Sequence, residues 1–463
     1  MTKYILDSEK KKASILLNDI RISNIDYLKK DIDNILYNCK DFSIEDIINY
    51  ILDSLINELR PLLTNNITPG IEIGLKNNYF QLISYGGKYN INSKSKDIEN
   101  DTYFSFDSIS KLITAVITMQ ELKSNNIPIN SKINEYNNDF LMDASFESIL
   151  KYTAYIKTPK RIDNLSKEET ITILKNIKEN IKEKNKYINY YEYNDIGYMI
   201  LRQAIYNFTN KLDNLLQLID NNNLTYKNIE HKSIITGGKL GEEYITPDQK
   251  GRGINFPGHT GLYGNIEGLI NIFDKIIYSN DIINNEDRKR LFSQPYTNPT
   301  VYDINGNIKI GKNGSKQDMA KVSGIYRLPN GINNPNYSKI ASCDMSDKTT
   351  NEAKASTGTC GSWIVTDNLN SNNKFGKYIG GFLTNPYSCI ETKNYKDNER
   401  IPGTPHIVNQ KGVILRYQTV LNKYKEIITK YGIILEIITE YIKEIDINAL
   451  KRANKAYIKK MTK

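Results

Sequence analysis

The sequence predicts an α+β fold with an all-helical block set between two halves of a sheet-forming unit. Three observations predict it. Strand patterns occur near residue 71 and return only after residue 360. Between them, from Phe140 to about Ile283, apolar residues recur at three- and four-residue spacing. No fixed internal period runs through the chain, which excludes a repeat architecture.

The elements follow in order. Residues 1 to about 64 read as helical, with Ile15, Leu16 and Ile20, then Ile47, Ile48, Ile51, Leu52 and Leu55 at helical spacing. Pro61, Asn65-Asn66 and Pro69-Gly70 break that pattern. Ile71, Ile73 and Leu75 then alternate, Asn77-Asn78 can turn the chain, and Tyr79 to Ile83 reads as a return strand closed by Gly86-Gly87. A polar loop covers Lys88 to Asp101. Leu112, Ile113, Val116, Met119 and Leu122 define one apolar helix. Ser166 and Glu169 form a capping box ahead of Ile173, Leu174, Ile177 and Ile181. Ile196 to Ile205 and Leu269 to Ile276 predict two more helices, and 303–318 reads as loop. Strands are expected over Ser362 to Val365 and Lys377 to Leu383, and a long helix from about Gly412 to Ile445.

Composition narrows the function classes. The chain has 463 residues, 39% hydrophobic and 25% charged, enough for a sizeable core. The formal charge is +9, but the lysines are interleaved with acids. Only Ile447 to Lys463 is basic and acid-free, and it reads as a solvated helix end rather than a nucleic-acid arm. Four dispersed cysteines exclude a disulfide scaffold, and three histidines show no metal-site spacing, so neither metal nor cofactor is expected. Charge interrupts the first residues and no apolar run reaches about 18 residues, so a soluble cytoplasmic location is expected, with no integral membrane segment.

Three short segments carry candidate chemistry. Ser108 and Lys111 stand one helical turn apart at the head of the apolar helix. Backbone N–H groups there favour a developing anion, and an amine beside a hydroxyl can take its proton. Ser8–Lys11 and Ser93–Lys96 share the spacing but have no apolar helix behind them. Tyr193-Asn194-Asp195 offers a phenol that a neighbouring ammonium can turn into a base. Ser356-Thr357-Gly358-Thr359 places small residues ahead of a strand, where Gly358 lets a substrate approach the backbone. The N–H groups of Thr359 and Ser108 can together form an oxyanion hole.

In this order the segments resemble the serine β-lactamase and penicillin-binding-protein-like superfamily, above all its class C β-lactamase and esterase branch. Flanking segments extend the resemblance over about 65–440: Thr68 to Ile73, Tyr103 to Asp107, Gly197 to Leu201, Gly258 to Leu262 and Gly380 to Asn385. The resemblance implies a β-lactamase/transpeptidase-like fold, an antiparallel sheet flanked by helices with an inserted all-helical subdomain. It divides the chain into a helical extension (1–64), a hydrolase domain (65–445) and a basic tail (446–463). The α/β part of that domain would comprise 65–125 and 320–445, and the helical part 126–300. It further implies Ser108 as acylated nucleophile, Lys111 as its base or proton shuttle and Tyr193 as second general base. Asp195 takes the place of the family's asparagine. Ser356, Thr357 and Gly358 would line the substrate, and Ser108 with Thr359 would supply the oxyanion donors. The implied partner is a small-molecule or peptide acyl substrate: an ester, an amide or a D-amino-acid peptide.

Two positions depart from the family pattern. Asp195 replaces an amide with a carboxylate beside Lys111, and Ser356 stands where a lysine or histidine is usual. Lys354 shares the face of Ser356 and is a candidate replacement. These departures predict weak action on penicillin-like substrates and motivate an alternative, a catalytically impaired protein that binds ligands. The segment Phe146 to Thr153 lacks the family's His-Thr-Ser-Gly, which alters one wall of the expected pocket. His259-Thr260-Gly261 imitates the third motif but precedes a helix, so it is read as a structural turn. Ser346-Asp347-Lys348 is read as loop.

Overall fold

The computed structural model describes residues 57–65, 67–76, 81–89, 95–160, 162, 165–220, 222–227, 254, 256–293, 295–296, 301–308, 321–328, 353–358, 362–367, 378–385 and Lys423. The expected helices over 1–56 and 412–445, the tail, and Ser346 to Lys348 lie outside this set.

A seven-stranded antiparallel sheet organises the molecule. Its strands are β1 (Gly70–Lys76), β2 (Gln81–Gly87), β3 (Lys321–Val322), β4 (Ile325–Leu328), β5 (Ala353–Thr357), β6 (Trp363–Asp367) and β7 (Tyr378–Thr384). The spatial order is β2-β1-β7-β6-β5-β4-β3. Alternation in the first strand had predicted the hairpin, and Ile71 and Ile73 are buried opposite Thr384 and Phe382 of β7. That pairing joins the first and last of the seven strands in chain order. Asn385 fastens it: its Oδ1 accepts from Gly70 N and Thr68 Oγ1, both at 3.1 Å. Gly86-Gly87 extends β2 rather than closing it.

The helices fill the span between the two sheet-forming segments. Helix α1 (Ser110–Ser124) is buried on almost every face as far as Leu122, so it is a central helix. Phe146–Leu150 (α2) and Lys167–Asn176 (α3) pack on Asp195–Ala204 (α4), which packs on α1 together with Phe208–Asp220 (α5); Ile266–Phe273 (α6) packs on β1 and β7, and Asn285–Phe292 (α7) packs on α1. The Ser166–Glu169 capping box is present. The single helix expected through Ile181 instead stops at Asn176, and Asn180 caps a separate turn, Ile181–Lys184. A two-residue strand, Tyr263–Gly264, intervenes between His259 and α6. No described helix is long and apolar enough to cross a membrane.

Glu72 is an unusual core residue. It lies on β1, is 1% exposed, and accepts a hydrogen bond from Ile266 N at the start of α6 (2.8 Å). Burial pushes its carboxyl well above the usual carboxylate range; the Ile266 hydrogen bond opposes this and the charge of Asp101 adds to it. A group raised in the folded state contributes stability below its unfolded value and loses it as pH climbs through the folded one. Glu72→Gln keeps an acceptor for Ile266 without the buried charge. Thermal unfolding at pH 7 should show a gain in stability, shrinking to nothing below the usual carboxylate range. A variant less stable than the parent at pH 7 would contradict this account.

Candidate active site

Ser108 occupies a 3-10 turn, Asp107–Ile109, that leads into α1, not the α-helix itself. Lys111 is the second residue of α1, so the Ser108–Lys111 pairing spans the junction of turn and helix. The turn begins on Asp107 at φ 43°, an uncommon conformation for a non-glycine residue. Local contacts hold it there: Ser105 Oγ donates to Asp107 Oδ1 (2.8 Å). The Ser362 hydroxyl then donates to Ser105 O (2.7 Å), and Phe106 N donates to Leu262 O (2.9 Å).

Two groups converge on the Ser108 oxygen. Lys111 Nζ and the Tyr193 hydroxyl each donate to Ser108 Oγ at 2.9 Å. Lys111 is fully buried. Its other two donors meet Asp195 Oδ1 at 2.8 Å and His259 O at 3.1 Å. An ammonium has three N–H bonds, and here each has an acceptor. The Lys111 nitrogen also sits 4.9 Å from the centre of the Tyr193 ring, within cation–π range.

Local sequence explains the placement of Tyr193 and Asp195. Asn194 is the N-cap of α4, its Oδ1 accepting from Ile196 N (2.7 Å) and Gly197 N (3.4 Å). Asp195 is therefore the first helical residue, where a carboxylate suits the helix dipole. Asn194 Nδ2 donates to Ile156 O (2.8 Å) and fixes the corner from the other side.

The third segment arrives on β5. Gly358 N donates to Ser362 O at 2.7 Å, which closes the turn toward β6. Ser356 is a correction to the expected substrate-lining role. It is fully buried and its hydroxyl donates to Gly324 O at 2.6 Å, so it serves the packing of β5 rather than an open surface. Gly324, at φ +81°, takes a conformation that favours glycine, and a Cβ there would come within 2.8 Å of Leu112 N. This close approach brings the sheet against α1. Thr359 and the side chains of Lys354 and Thr357 lie outside what is described.

Sequence reasoning missed the part played by 256–262. Besides the His259 carbonyl, Leu262 N donates to Ser110 Oγ (3.0 Å) and Thr114 Oγ1 to Gly258 O (2.6 Å). The segment is laced along α1, and the Lys111 contact it makes is a backbone one that no side-chain motif records.

No family model and no curated protein matches the chain. Among solved structures, it is similar to a β-lactamase/D-alanine carboxypeptidase from Pseudomonas syringae at TM-score 0.52 and 15% identity. That alignment covers 80% of this chain and 98% of the other. A class C β-lactamase from Rhodobacter sphaeroides aligns at TM-score 0.49 and 10% identity, over 79% of this chain and 98% of its own. The first likeness shows the fold: this chain has an α+β fold like that of the β-lactamase/D-alanine carboxypeptidase.

Proposed function

We propose that the protein is a serine hydrolase that forms an acyl-enzyme on Ser108 with an ester, amide or D-amino-acid peptide. The observation that carries this reading is the double donation to one oxygen: Lys111 Nζ and Tyr193 Oη both lie 2.9 Å from Ser108 Oγ. Such convergence of hydroxyl, ammonium and phenol from distant segments is the arrangement an activated serine needs. The fold, similar to that of a β-lactamase/D-alanine carboxypeptidase, supports it.

The reaction has two balanced steps. Ser108 Oγ attacks the acyl carbon as its proton passes to the phenol–amine pair. The bond to the leaving group breaks, and that group departs with the proton. Water then gives a proton to the same pair and adds to the acyl carbon, and Ser108 leaves with its hydroxyl restored. Asp195 and the His259 carbonyl hold Lys111 as a charged donor, which assigns the proton-accepting role to the Tyr193 oxygen.

The test is labelling with a fluorophosphonate followed by peptide mapping. The expected result is one adduct, on Ser108, with turnover of a p-nitrophenyl ester. An adduct on another residue, or none, would overturn the reading. The Asp195 carboxylate and the inward-turned Ser356 favour a second reading, a ligand-binding protein with impaired catalysis. It predicts ligand-dependent stabilisation without ester turnover.

A further inference from the structure

We propose that Tyr152 is a positioning residue that fixes where the Tyr193 phenol meets Ser108. The inference rests on the hydrolase reading above and adds a residue to it. Tyr152 is 2% exposed and follows α2 at φ 59°, a left-handed conformation that costs a bulky side chain free energy. Such outliers persist where surrounding structure over-determines them, and they cluster at functional sites.

The surroundings here do so. Leu150 O, two residues earlier, accepts from Ser323 N (2.9 Å) and from the Tyr198 hydroxyl (3.1 Å). Thr153 N, one residue later, donates to Ser148 O (2.8 Å). The corner thus held offers Tyr193 two supports. The Tyr152 ring lies 5.0 Å from the Tyr193 ring at 42°, a packed aromatic pair. The Tyr152 carbonyl accepts from Glu192 N at 3.0 Å, just before Tyr193. With Asn194 capping α4 on the other side, the backbone is tied down on both flanks of Tyr193. Tyr193 itself is 38% exposed, so without these supports its hydroxyl has solvent conformations open to it.

The experiment is a double-mutant cycle on the rate constant for Ser108 acylation by a p-nitrophenyl ester. Tyr152→Leu should lower that rate constant about tenfold with KM little changed, and Tyr152→Phe, which keeps the ring, should stay near the parent. In a Tyr193→Phe background, Tyr152→Leu should have no further effect, because both act through one phenol. Tyr155→Leu removes a buried tyrosine that packs on Tyr190 instead, and should leave the rate constant alone. Tyr152→Gly accepts φ 59° without strain and replaces the leucine variant if that fails to fold. Additive losses, or a parental rate in the folded leucine or glycine variant, would overturn the proposal. If the parent forms no Ser108 adduct, the hydrolase reading fails. The same cycle read by thermal unfolding then decides whether Tyr152 supports Tyr193, additivity again rejecting it.

Discussion

Replacing Lys111 with alanine is expected to slow Ser108 acylation by about a thousandfold while the protein stays folded. The geometry gives the reason. Lys111 is the cation that contacts the nucleophile oxygen, at 2.9 Å, and its charge faces the Tyr193 ring from 4.9 Å. Removing it takes away the donor that orients Ser108 and the charge that faces the Tyr193 ring. The carboxylate left behind belongs to Asp195, which is 15% exposed and keeps some hydration. Asp195→Ala should behave in the opposite way. It leaves an ammonium at 0% exposure with only a hydroxyl and a carbonyl as acceptors. Stranding a buried charge costs about 3–5 kcal/mol, so this variant should lose more stability than Lys111→Ala. The double variant should recover part of the loss. Stopped-flow acylation and thermal unfolding read the two effects separately. A Lys111→Ala protein within tenfold of the parental rate would remove the lysine from the chemistry.

What the sequence made legible was local. The capping box at Ser166–Glu169 forms because a serine hydroxyl and a glutamate three residues on satisfy each other's backbone partners without help from the rest of the chain. The alternation of Ile71 and Ile73 predicts β1, because one face of a sheet must be buried. The Ser108–Lys111 pairing was visible for the same reason, although the turn that holds it is 3-10 and begins on a strained Asp107. What stayed hidden is tertiary. The φ of Tyr152 is imposed by Ser323 and Tyr198 acting on Leu150, contacts across 173 and 48 positions that no window of sequence contains. The His259 carbonyl is a backbone acceptor, and every residue carries one. The resemblance puts Ser356 on the substrate-lining strand, where the family has a lysine or histidine. Only the position of Gly324 decides that its hydroxyl turns inward.

Gly358→Ala is expected to slow acylation about a hundredfold, the effect of moving a reacting group by roughly 1 Å. A Cβ at Gly358 would stand 2.6 Å from Phe106 O and 3.2 Å from Asp107 Cβ. Neither atom belongs to the far end of a flexible side chain. Phe106 O is already committed to Ile109 N at 3.0 Å, which closes the turn that carries Ser108. Phe106 N is held by Leu262 O, so the turn is restrained from behind as well. One extra methyl group must therefore push β5 away from the nucleophile or distort the turn. Both movements separate Ser108 from the strand expected to meet its substrate. Gly86→Ala is the matched control, since a Cβ there meets only Leu63 Cδ1 at 3.8 Å. The control should keep the parental rate, and Gly358→Ala should lose rate out of proportion to its fall in Tm. Equal rates in the two variants would mean that the approach of β5 to the Ser108 turn serves packing alone, and that substrate is read from another wall of the cleft.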